Sequence, residues 1–225
     1  MNEPRHQAPF YDSNTVASNP GRLSINFFQW TKMNFTAVLK RTGVLLLTAY
    51  LMIAVHWLFG LLFLGALLYN VWYWFTAYNK FKAGDVNPGK VVSLNPDRVA
   101  VATNMSKFGG QYPILRIVEV KLPKYERKVG AFIPTVALYY DNPYEYPFWA
   151  EFHPVPVSHG VSSKATLQGK LNTFSQEDFL AIDTYLQEVN TTEPGTYRVQ
   201  LATSGWQDYP EVEVGDIDKI PAPAE

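Results

Sequence analysis

The stretch AVHWLFGLLF, residues 54–63, carries a histidine, a tryptophan and a glycine inside a tract otherwise made mostly of Leu, Ala and aromatics. Whether it is the middle of one membrane helix or the turn between two decides the architecture of the chain. No charged side chain occurs from residue 42 to residue 79, a run of 38 residues between Arg41 and Lys80. As one helix this run would be roughly 57 Å long. The hydrocarbon layer is about 30 Å thick and needs about 20 residues. One straight span leaves nearly half the run in water, whereas two spans of about 19 residues fit. The length predicts a helical hairpin.

The aromatic residues agree. Tyr69, Trp72, Tyr73, Trp74, Phe75 and Tyr78 close the run just before Lys80 and Lys82, as an interfacial belt does. Trp30 and Phe35, ahead of Lys40 and Arg41, form its counterpart at the other end. Trp57 lies about midway, where a hairpin would put it at the far interface with its indole N–H wet and His56 beside it. Gly60 supplies a tight turn there. The competing reading is one long bent helix leaning on a partner protein. Lys32, Lys40 and Arg41 precede the run, and Lys80, Lys82, Lys90 and Arg98 follow it. Both flanks are basic, so the positive-inside rule assigns both to the cytoplasm. The expected location is the plasma (inner) membrane, multi-pass, with the N-terminus and the following domain cytoplasmic. Residues 1–22 read as a polar N-terminal tail, and no cleavable signal peptide is expected before the run, because residues 1–42 are polar, mixed in charge and too long for an n-region. Residues 23–41 read as an amphipathic segment in the interface, with Leu23, Phe27, Trp30 and Val38 on one stripe and Lys32 and Lys40 snorkelling; a plain extension of the first span is the alternative. The membrane-interface set is therefore Trp30, Lys40, Arg41, Trp57, Trp72, Trp74 and Lys80.

After Gly84 the period changes to two. VVSL and VAVAT flank NPDR as a hairpin. PILRIVEVKLP alternates, VGAFIPTVALYY is a nearly continuous apolar strand, and FWAEFHPVPVSH is an edge strand with alternating prolines. TYRVQLA closes the set. In FSQEDFLAIDTYLQEV, Ser175 and Asp178 form a capping box and Phe174 and Phe179 a hydrophobic staple. Phe179, Ile182, Leu186 and Val189 make the buried stripe of a helix over 175–189. The expected fold class is an α+β membrane protein: a transmembrane hairpin over 42–79, then a soluble β-rich domain over 84–203. That domain is expected to be a small barrel or sandwich, with its helix covering an open end. Residues 204–225 read as an acidic tail, with Asp208, Glu211, Glu213, Asp216, Asp218 and Glu225 against Lys219.

The formal net charge of −1 gives no case for nucleic acid as a partner, and the absence of cysteine excludes disulfides, thiolate metal sites and cysteine nucleophiles. It also favours a reducing compartment. Glu151, His153 and His159 share one parity along a strand and form a candidate zinc or iron set. Pro154 and Pro156 intervene, and the spacing matches no established metal motif, so the competing reading is a wet edge-strand face. Adjacent Ser158 and His159 would point to opposite faces of a strand and make no dyad. Gly109-Gly110 after Lys107 lacks the strand–loop–helix context of a phosphate cradle. The expectation is no enzyme, no catalytic residues and no cofactor.

KVVSLNPDRVAVAT (90–103), VGAFIPTVALYYDNP (129–143) and WAEFHPVPVSHG (149–160) resemble an uncharacterised actinobacterial (corynebacterial-type) membrane protein family with a two-helix anchor and a small β-rich domain. The likeness covers about residues 40–200, and its motifs are structural. It implies a bacterial plasma-membrane protein, of a type that accompanies the cytochrome bc–oxidase respiratory supercomplex as an accessory subunit. A non-enzymatic accessory or scaffold subunit with integral membrane partners and the lipid bilayer is thus the leading expectation. A ligand- or metal-binding envelope protein is the other.

Overall fold

The computed structural model describes residues 19–141, 146–201 and 204–208. The N-terminal tail before Asn19 and the acidic tail after Asp208 lie outside the described residues. A short helix α1 (Phe27–Met33), capped by the Asn26 side chain, leads through Asn34 into α2 (Phe35–Ala54). A 3-10 turn over Trp57–Phe59 reverses the chain into α3 (Gly60–Ala83), so AVHWLFGLLF is the turn of a helical hairpin. His56 Nδ1 accepts the Leu58 N–H at 3.2 Å and starts that turn.

The segment after α3 forms a six-stranded antiparallel sheet made of β1 (Asp85–Leu94), β2 (Asp97–Asn104), β3 (Pro113–Glu119), β4 (Phe132–Ala137), β7 (Val155–Pro156) and β8 (Gly195–Arg198). The spatial order is β7-β4-β1-β2-β3-β8, and β5 (Tyr139–Tyr140) pairs with β6 (Glu151–Phe152) as a separate ribbon. The sheet has two edges, β7 and β8, and does not close into a barrel. Helices cover one of its faces. Helix α5 (Gln176–Val189) lies across that face with Ile182 fully buried against Ala100, Ala102, Leu115 and Ile117. It caps a face and not an open end. Its capping box of Ser175 and Asp178 is formed in both directions. A further helix, α4 (Lys164–Leu171), has too short an apolar stripe to read from sequence and packs through Leu167.

The opposite face buries Val91, Val99, Val101, Ile114 and Ile133 under Phe148, Trp149, Phe152 and Trp206. Trp206 falls in the segment expected as tail, yet it is completely buried and donates its indole N–H to the Pro113 carbonyl at 2.8 Å. The domain therefore runs past residue 203. The expected edge strand over 148–159 is broken at Pro154, and Val157–His159 is a 3-10 turn.

The hairpin joins the domain through a third apolar cluster. Leu23, Trp30, Ala77, Phe81, Val86 and Val136 pack together. The backbone N–H groups of Gly21, Arg22 and Leu23 donate to the carbonyls of Gly84, Lys82 and Phe81 at 2.8–3.0 Å and satisfy the C-terminal end of α3. A Cβ on Gly21 would stand 2.5 Å from the Phe81 carbonyl oxygen, so only glycine allows this approach. Residues 23–41 are thus two pieces. The first, with α1, is pressed onto the domain; the second is the start of α2.

Candidate functional site

The most extensive feature is the surface of the hairpin. The two helices of 20 and 24 residues are each long and apolar enough to cross a membrane. Little of either span is covered by the rest of the chain. Ile53 is 80 % exposed, Leu61 75 % and Trp57 73 %. Burying such side chains is worth about 1.5–3 kcal/mol each, so water is a poor solvent for this surface. Two polar side chains inside the helices are satisfied locally. Thr48 Oγ donates to the Val44 carbonyl, and Asn70 Nδ2 to the Ala66 carbonyl. That is what a lipid environment demands of them.

The hairpin brings both basic flanks to one end and the Trp57 turn to the other. Lys40 is exposed, and Arg41 stacks 4.3 Å above the Tyr73 ring while donating to the Tyr69 hydroxyl at 3.1 Å. Trp72 is 44 % exposed and Trp74 is half-buried against Phe27. Trp30 departs from its expected place at the bilayer interface. It is 6 % exposed, wedged edge-on against Phe81. Lys80 is likewise turned to the domain, its ammonium 3.4 Å from the His153 carbonyl.

Among the described residues, no three metal-ligating side chains come together. Glu151 and His153 do meet, with His153 Nε2 donating to Glu151 Oε2 at 2.9 Å. Arg116 Nη2 donates to His153 Nδ1 at 3.1 Å, so neither imidazole nitrogen has a free lone pair. Burial and the Arg116 guanidinium hold the His153 pKa down, against the pull of Glu151. His159 leaves the set altogether. The 3-10 turn directs its Nε2 to the Lys121 carbonyl at 2.7 Å and its ring towards Trp30. Burial lowers its pKa to about 4. The parity argument fails because the prolines end the strand before His159.

The same turn sets the buried Ser158 hydroxyl on Glu126 Oε2 at 2.6 Å. Glu126 stands in the loop between β3 and β4, and burial raises its pKa to about 7 despite that hydrogen bond. Nothing in its spacing distinguishes Glu126 from an exposed loop acid.

A cleft of about 740 Å³ opens at the end of the β1–β2 pair, beneath α5. Asp85, Asn87, Thr103, Tyr139, Lys107 and Asp178 are among the groups that line it. Tyr139 Oη lies 2.6 Å from Thr103 Oγ1 and 3.4 Å from Asp85 Oδ2. Burial, then the Asp85 carboxylate, hold the phenol well above its ordinary pKa. The lining residues come from several separate elements, so no local motif announces them. Lys107 is ion-paired to Asp141, and the Gly109-Gly110 loop beside it takes φ of 105° and 91°.

No protein-family model and no curated protein sequence matches the chain. Among solved structures it is similar to that of a presumed membrane protein from Corynebacterium diphtheriae, at TM-score 0.44 and 18 % identity, covering 51 % of this chain and 100 % of that one. A likeness of that degree carries no argument about function, which rests on the chain's own residues.

Proposed function

We propose that the chain is a two-span protein of the bacterial plasma membrane that holds its α+β domain against the cytoplasmic face as a non-enzymatic accessory subunit. The observation that supports this most is the hairpin, whose apolar sides are uncovered and whose basic flanks share one end. Lys32, Lys40, Arg41 and Lys82 would then face the cytoplasm. The resemblance noted in the sequence extends the reading to a partner, the cytochrome bc–oxidase assembly. In this reading the domain contributes a surface and does no covalent chemistry. Purification in mild detergent through a tag on this chain is expected to bring down integral membrane subunits in fixed ratio. A lone monomer at every detergent strength would overturn the accessory role.

The open cleft between β1, β2 and α5 favours a second reading, a membrane-anchored receptor for a small polar ligand. It predicts ligand-dependent thermal stabilisation that Asp85→Asn abolishes. Glu151, His153 and His159 play no part in it.

A further inference from the structure

We infer that the groove between residues 22–27 and the last turns of α3 binds the headgroup of one anionic phospholipid. The groove encloses about 390 Å³ and is lined by Arg22, Ile25, Phe27, Tyr78 and Lys82 among others, with no carboxylate among the described lining residues. Its lining combines two cations, Arg22 and Lys82, with the aromatic rings of Phe27 and Tyr78. Trp74, Tyr78 and Lys82 recur at four-residue spacing along one stripe of α3, over a backbone rise of about 12 Å. Phe27 packs edge-on to Trp74 at 5.4 Å, and the Lys82 ammonium lies 5.3 Å from the Tyr78 ring. A lipid phosphate between Arg22 and Lys82 would therefore have its acyl chains descend past Tyr78, Phe27 and Trp74.

Two features make this more than a pair of surface cations. The C-terminal carbonyls of α3 would ordinarily attract Lys82. Here they are already satisfied by the backbone of residues 21–23, which leaves the ammonium for another anion. Arg22 is also fixed by its backbone, at φ 47° and with its N–H on the Lys82 carbonyl at 3.0 Å. Among the described residues, neither Arg22 nor Lys82 forms an ion pair.

The inference rests on the proposed anchoring, and the experiment separates the two. The full chain in neutral detergent is titrated with dioctanoyl phosphatidylglycerol or dioctanoyl phosphatidylcholine, and retained lipid is read by native mass spectrometry. The expected result is one phosphatidylglycerol retained in preference to phosphatidylcholine and not displaced by excess inorganic phosphate. Arg22→Asn with Lys82→Gln should weaken that retention roughly tenfold or more, since each cation near an anionic lipid contributes on that scale. Asn tolerates the left-handed backbone, and Lys82→Gln alone, which leaves residue 22 intact, should show a partial loss. Lys32→Gln, outside the groove, should show none. Equal retention of the two lipids, an unchanged preference in the double variant, or displacement by phosphate would overturn the lipid site. Alkaline-carbonate extraction of membranes reports on anchoring independently. Release of the unaltered chain would overturn the anchoring, whereas its retention without headgroup preference would overturn the lipid site alone.

Discussion

The indole N–H of Trp30 donates to the hydroxyl of Tyr73 at 2.8 Å, across 43 residues of sequence. That bond ties the lead-in helix α1 to α3, and the same indole packs on Phe81 and against His159 of the domain. One side chain thus joins the hairpin to the 3-10 turn of the domain.

Trp30→Ala should lower the stability of the domain–hairpin junction by about 3–5 kcal/mol, as large buried aromatics do. Trp30→Phe keeps most of the volume and loses the hydrogen bond, for a cost of about 1 kcal/mol. Thermal unfolding of the detergent-solubilised chain should rank the two in that order. Equal melting temperatures for Trp30→Ala and the parent would show that the contact carries no stability.

Glu126 and His159 give the domain opposite pH dependences. Folded Glu126 keeps its proton up to about pH 7, whereas the unfolded chain loses it near 4.5. The folded state therefore binds more protons in that window, and stability falls as pH rises through it. Folded His159 stays neutral down to about pH 4, so its contribution is lost as pH falls below about 6.5. Glu126→Gln retains an acceptor for Ser158 and removes the buried charge. Between about pH 5.5 and about pH 8 the parent should lose on the order of 1–2 kcal/mol that Glu126→Gln does not. Parallel melting curves for the two proteins against pH would contradict the assignment.

Tyr139→Phe removes a hydroxyl that bridges Thr103 and Asp85 at the wall of the cleft. Loss of those bonds at a buried wall should cost about 1–3 kcal/mol. Tyr139→Phe with Thr103→Val removes both ends of the shorter bond and should recover part of the loss. Additive losses would mean that the two groups act separately.

The sequence was most legible where one periodic signal met one clear boundary. The uncharged run with Trp57 at its middle marks the hairpin, because charge and length act on lipid solubility directly. Ser175 and Asp178 mark the start of α5, because a capping box is a local bond pattern. The barrel expectation failed on a long-range matter. Period-two strands look alike in an open and a closed sheet, and only the packing of α5 and α4 across one face decides between them. Trp206 was hidden for a similar reason, since its partners Tyr112, Phe148 and Pro113 are remote in sequence. Glu151, His153 and His159 share a parity that holds only within one continuous strand, and the strand breaks at Pro154 and the chain turns at Val157–His159. The cleft and the Glu126–Ser158 pair have no spacing signal, since loops and turns bring their members together.

The proposed two-span topology is tested most directly with single cysteines, which the chain permits because it has none of its own. Leu58 in the 3-10 turn and Glu177 at the start of α5 are both exposed. An impermeant maleimide applied to intact cells should label Leu58→Cys and spare Glu177→Cys, with both labelled once the membrane is opened. Labelling of Glu177→Cys but not of Leu58→Cys on intact cells would contradict the cytoplasmic domain.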